Sequence, residues 1–136
     1  MIQKIMKNPS FLVQKSVDAT ENDKQVITDL LDTLRANSDK CVGMAANMIG
    51  IKKNIIVVAV GPFQFVMVNP KITKKSGEYR AEEGCLSLNG VRSCTRYKEI
   101  EVEYLDSSFN KKRGKYSGQT AQIIQHEIDH CNGVLI

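Results

Sequence analysis

The chain has 136 residues, of which 42% are hydrophobic and 25% charged, and a net charge of +4. That length suits one folded domain spanning 1–136, and the composition excludes disorder over most of it. No apolar run reaches membrane-spanning length, and the N-terminal MIQKIMKNPS lacks the apolar core of a signal peptide, so a cytoplasmic protein is expected.

Thr20 and Asp23 form a capping-box pattern, with Asp in place of Glu or Gln, and open a predicted helix over 20–37. Val26, Leu30, Leu31 and Leu34 recur at helical spacing and are expected in the core; Asn37-Ser38 should end the helix. The next stretch, CVGMAANMIG over 41–50, has two glycines, two adjacent alanines and no charge. Then the texture turns to β. Ile55–Val60 is a β-branched run, Gly61-Pro62 breaks it, and Phe63–Val68 predicts the second arm of a hairpin. Asn69-Pro70 predicts another break, with a further strand over Lys71–Lys75. Ile100, Val102 and Tyr104 alternate with Glu99, Glu101 and Glu103, the pattern of a half-buried strand with one acidic face. A turn over Ser107–Asn110 should let Lys112–Tyr116 pair back.

The last element is a predicted helix over Gly118–Cys131, with Ala121, Ile124, Ile128 and Cys131 at helical spacing and Asn132-Gly133 as its stop. Strands in the middle with a helix at each end predict an α+β fold: mixed or antiparallel β-sheets packed around the C-terminal helix, with an N-terminal helix. Basic residues cluster at Lys71-Lys74-Lys75 and at Lys111-Lys112-Arg113-Lys115 and read as two solvated turns. The chain has no Trp and little interleaving of aromatics, so no base-stacking platform and no direct nucleic-acid binding are expected. Cys41, Cys85, Cys94 and Cys131 are an even set, but in a cytosolic chain they read as metal binding, catalysis or burial before disulfides.

His126-Glu127-Ile128-Asp129-His130 matches His-Glu-x-x-His and holds the only two histidines of the chain. On a helix the two imidazoles lie one turn apart on one face and can bind one metal ion together. Glu127 sits beside that face, where its carboxylate suits a general base toward water activated by the metal. A catalytic site of this kind takes three protein ligands and keeps one position open. Only Cys131, Asn132, Gly133, Val134, Leu135 and Ile136 follow His130, and Cys131 points about 100° round the helix from it, so the third ligand should come from upstream. Cys85, preceded by Gly84, is the best upstream candidate as a thiolate ligand, although spacing alone does not choose among Cys41, Cys85 and Cys94.

Gly43-Met44-Ala45-Ala46-Asn47-Met48, Glu83-Gly84-Cys85-Leu86-Ser87 and Gln125-His126-Glu127-Ile128-Asp129-His130 together resemble the three ordered motifs of peptide deformylases. The second and third match residue for residue, the first in part. The resemblance implies a bacterial, metal-dependent hydrolase that removes the N-formyl group from the initiator methionine of nascent polypeptides. It implies Fe(II) as the metal, with Zn(II), Ni(II) or Co(II) as substitutes, and Cys85, His126 and His130 as ligands. It also implies Glu127 as general acid and base, the backbone N–H of Leu86 as an oxyanion donor, and peptide contacts along Val42, Gly43 and Met48. Three features depart from the pattern. Met48 stands where the family has a Gln that donates to the oxyanion; Cys41 replaces the first glycine; and no C-terminal helix follows for docking to a ribosome, though ribosome proximity is allowed. These departures motivate a second reading, a deformylase-like metal-binding protein with weak or no activity. A metallopeptidase is a third, against which the missing downstream ligand argues.

Overall fold

A computed structural model describes residues 1–136, the side chain of Asn89 excepted. Its framework is one antiparallel sheet in the order β1-β2-β3-β4-β5, with β1 at Gly43–Ala45, β2 at Ile55–Val60, β3 at Phe63–Cys85, β4 at Leu88–Leu105 and β5 at Lys111–Ser117. The sequence left mixed or antiparallel sheets open; every pairing between these strands is antiparallel, and an isolated bridge outside them, Val17 with Lys53, is parallel. Three helices accompany it: α1 at Pro9–Leu12, α2 at Lys24–Ala36 and α3 at Gly118–Cys131.

Strand β2 explains the layering. Its residues Ile55 to Val58 are all buried, because both faces of the strand are covered. Ile55 and Val57 face one core with Ile27, Leu30 and Leu34 of α2; Ile56 and Val58 face another with Ala121, Ile124 and Cys131 of α3. Side chains alternate across a strand, so one apolar run serves two cores. The alanines of the 41–50 stretch divide the same way, Ala45 toward α3 and Ala46 toward α2, both fully buried.

The Thr20–Asp23 capping box is present, but it closes a 3-10 turn at Glu21–Asp23 before α2 begins. Helix α1 was not expected; its signals are Asn8, whose side chain accepts from Ser10 N, and Pro9 in the first turn. The hairpin of β2 and β3 matches expectation, whereas Asn69-Pro70 does not end the strand. The register shifts there, and Asn69 adopts φ 51°. A bulge accommodates a proline that cannot donate to the ladder. The Asn69 side chain accepts from Ala19 N and donates to Ala19 O, tying the bulge to the segment before α2.

The basic clusters also differ from expectation. They lie on β3 and β5, not in turns, and flank the acidic face of β4: Lys74 and Arg113 both approach Glu101, and Arg113 pairs with Glu103. The sheet itself neutralises these charges across its strands. No helix is long and apolar enough to cross a membrane.

Candidate metal centre

Two elements meet at the centre. The β3–β4 hairpin tip carries Cys85, which pairs with Leu88 across the turn, and α3 carries the histidine motif. The Cys85 thiol and one ring nitrogen each from His126 and His130 lie within 4.8 Å of one another. Cys41 and Cys94 are not part of that group. Cys94 lies on β4 with its thiol directed at Ala81 O, and Cys131 is buried in the α3-side core. All four cysteines are free.

The His126 imidazole is aimed by its surroundings, whereas His130 Nδ1 is buried without a hydrogen-bond partner among the described residues. His126 Nδ1 donates to Glu83 Oε1 at 2.7 Å, which leaves Nε2 as its lone-pair nitrogen. That Nε2 faces His130 Nε2 at 3.1 Å. Two ring nitrogens and a thiol converging in this way form the donor set of a tetrahedral Zn(II) or Fe(II) site, so the residues fit a divalent cation. Without one the pair divides unequally. Burial disfavours charge on both rings, yet hydrogen bonds to Cys85 and Glu83 push His126 up to about 10. His130, buried and beside His126, is pushed down to about 3.

Glu83 is itself held. Arg96 grips both of its oxygens, Nη2 on Oε1 at 2.7 Å and Nε on Oε2 at 3.0 Å, and Gln122 Nε2 donates to Oε2 at 2.8 Å. Burial opposes the charge, but the bonds from His126, Arg96 and Gln122 hold the carboxyl far below its usual range. The third nitrogen of Arg96 reaches Asp129 of the motif at 2.7 Å, so one guanidinium joins β3, β4 and α3. Gln125 adds a clip: its amide accepts from Tyr97 N and donates to Tyr97 O, just short of the residues of β4 that pair with β5.

Glu127 is 4% exposed, and its Oε1 has no hydrogen-bond partner among the described residues. Burial pushes its carboxyl up to about 7, the range in which one group can both take and give a proton at neutral pH. It lines a cavity of about 680 Å³ together with Cys41, Val42, Gly43, Met48, Cys85 and Leu86. Cys85, His126, Glu127 and the predicted peptide-contact residues therefore line one space, with His130 buried behind His126. Burial pushes the Cys41 thiol in this wall up to about 11, so it is neutral.

The sequence model described as Polypeptide deformylase matches residues 2–136. The chain belongs to the polypeptide deformylase family. A peptide deformylase of Clostridium beijerinckii is 57% identical over 136 residues, covering 100% of both chains. The crystal structure of the peptide deformylase from Thermotoga maritima superposes with a TM-score of 0.88 at 30% identity, covering 99% of this chain and 95% of that one. A class I type b peptide deformylase from Acinetobacter baumannii, solved with Met-Ala-Ser bound, superposes at 0.87 with 27% identity over 99% and 96% of the two chains.

Within this deformylase, two glycines of the motifs behave differently. A Cβ on Gly43 would lie 2.7 Å from Ile123 Cγ2 and 2.9 Å from Glu127 Oε2, so only glycine fits beside the carboxylate. A Cβ on Gly84 would meet nothing closer than Gly90 O at 3.6 Å, so protein packing does not demand glycine before Cys85. Met48 is 1% exposed and its thioether accepts from Ala45 N at 3.5 Å; it turns no donor toward the cavity. Sequence reasoning missed Arg96 and Gln122, and placed Gln125 in a motif without giving it a role. It also passed over Asn47, whose amide donates to His130 O at 2.8 Å and so holds a carbonyl in the last turn of α3.

Proposed function

We propose that Cys85, His126 and His130 hold the catalytic divalent cation, Fe(II) in the cell, with Zn(II), Ni(II) or Co(II) able to replace it, in a single catalytic domain of a cytoplasmic enzyme. The chain is a metal-dependent hydrolase that removes the formyl group from formylated peptides. The observation that carries the residue assignment is the convergence of one thiol and two Nε2 atoms beside a buried carboxylate, one of whose oxygens is unpartnered, at the wall of one cavity. When bound, the cation supplies Lewis acidity toward water and the formyl oxygen.

The chain's own groups do the rest. Glu127 takes the proton of the attacking water and delivers it to the departing amine as the formyl C–N bond breaks and a C–O bond forms. Formate and a free N-terminus result. The backbone N–H of Leu86, at the hairpin tip, steadies the developing oxyanion. Strand β1 lies at the sheet edge, and the segment through Val42 and Gly43 offers that edge to an extended peptide on its way from the ribosome.

The test is deformylation of a short formyl-Met peptide by protein purified and loaded without air. Glu127→Gln should lower turnover by about 10²–10⁴ while metal content holds. Cys85→Ser should lower the metal-to-protein ratio. Full metal content in Cys85→Ser would move the third ligand elsewhere, and undiminished turnover in Glu127→Gln would end its role as base.

A further inference from the structure

We infer that the substrate chain beyond its second residue lies in a basic groove beside the metal centre, where Lys40, Lys4 and Lys7 favour acidic side chains. This rests on the deformylase reading and adds a preference among nascent chains to it. A second cavity of about 730 Å³ adjoins the first, and Lys40 and Leu86 line both. Its floor is apolar, formed by Ile5, Met6, Ile49 and Leu86. Its walls are fixed: Met6 N donates to Met48 O at 2.7 Å, and Gln3 N donates to Thr33 Oγ1 at 2.9 Å, which pins the N-terminal arm against α2 and the turn after β1.

The geometry also sets which part of a substrate arrives there. Gly43 touches Glu127, so the formylated residue sits at that level. Lys40, in the turn after α2, is three residues from Gly43 and lines both cavities, so at most about 10 Å of chain separates them, and a peptide leaving the first cavity past Lys40 brings its third or fourth residue there. The charge there has one sign. Lys4, Lys7 and Lys40 are exposed, form no ion pair among the described residues, and share the groove with no carboxylate. The acids of the neighbouring cavity are committed, Glu83 to Arg96 and His126, and Glu127 to the reaction. An acidic side chain in the groove therefore meets uncompensated positive charge over an apolar floor, and a basic one is repelled.

Formyl-Met-Ala peptides carrying Glu-Glu, Ala-Ala or Lys-Lys at positions three and four test this. The metal-loaded enzyme should rank them acidic, neutral, basic in kcat/KM. The span should be about threefold to tenfold at low salt, expressed in KM, and lost at high salt. Lys40→Glu should invert the order, and Lys4→Glu with Lys7→Glu should weaken it. Equal kcat/KM for the three peptides, or an order unchanged by Lys40→Glu, overturns the inference. Binding of the unformylated products, measured by calorimetry, separates the two levels: the same charge order in affinity without turnover of any formyl peptide would remove the deformylase reading and leave the groove standing. Salt-sensitive binding of an RNA oligonucleotide that the lysine variants weaken, with no order among the peptides, overturns it in favour of a nucleic-acid surface.

Discussion

At the scale of single residues, two positions in the 41–50 stretch should set how well the proposed site works. Gly43→Ala places a methyl against Ile123 and the Glu127 carboxylate, and the carboxylate is the softer neighbour. Turnover should fall by about tenfold or more with little change in thermal midpoint, since a displacement near 1 Å at reacting groups costs about that much or more. A kinetic assay beside a melting curve checks it; a large loss of stability with normal turnover would place the strain in Ile123. Met48→Gln tests the missing donor. A Gln side chain can take the Ala45 N–H with its oxygen and turn its amide toward the cavity. The kcat of this variant should rise by about tenfold or more at unchanged KM. An unchanged kcat in a folded variant would mean that the second oxyanion donor is supplied by another group. Both positions were legible in the sequence, one as a glycine among small residues and one as a departure from a pattern. What the glycine avoids was not legible, because Ile123 and Glu127 lie about 80 residues further along the chain and only the fold brings them to it.

At the scale of elements, the centre depends on α3 keeping its place against the hairpin of β3 and β4. Arg96 is the bolt. It is 3% exposed, grips Glu83 through two bonds, and reaches Asp129. Arg96→Leu leaves two carboxylates facing an apolar side chain, and the folded state should lose about 3–5 kcal/mol. Urea midpoints of the two proteins measure the loss; a change below about 1 kcal/mol would mean that water replaces the guanidinium. The elements themselves read well from sequence. Periodicity placed α2 and α3, and the bounds of α3 matched at both ends. The bolt did not. The register sets Arg96 opposite Tyr79 and Glu83 opposite Arg92, so even a correct hairpin would not have paired Arg96 with Glu83. The strand break expected at Asn69-Pro70 failed for a related reason: local turn chemistry was read as an end, whereas the partner strand carries the ladder through a bulge.

At the scale of the whole molecule, one sheet separates two cores, and the proposed ligands come from both ends of its longest hairpin-to-helix connection. About 40 residues lie between Cys85 and His126, comprising β4, β5 and the first turns of α3. A cation shared by these residues is therefore a staple. By the entropy of closing such a loop it is worth about 4 kcal/mol, as a disulfide of the same span would be. Chelation should lower the melting midpoint, and added metal should raise it in a concentration-dependent way. A midpoint indifferent to metal would remove the staple. The staple pins a tip that holds Leu86 and otherwise rests on β3, β4 and the packing of Cys85 and Leu86 against the α2-side core. Loss of the ion should thus loosen the same few residues that carry the proposed oxyanion donor, and limited proteolysis of chelated protein should cut between 86 and 90 before it cuts elsewhere. Enzyme that has lost its cation, or whose thiolate has been oxidised, would then expose its own cleavage site, and spent molecules would be cleared instead of lingering as intact competitors for formylated chains.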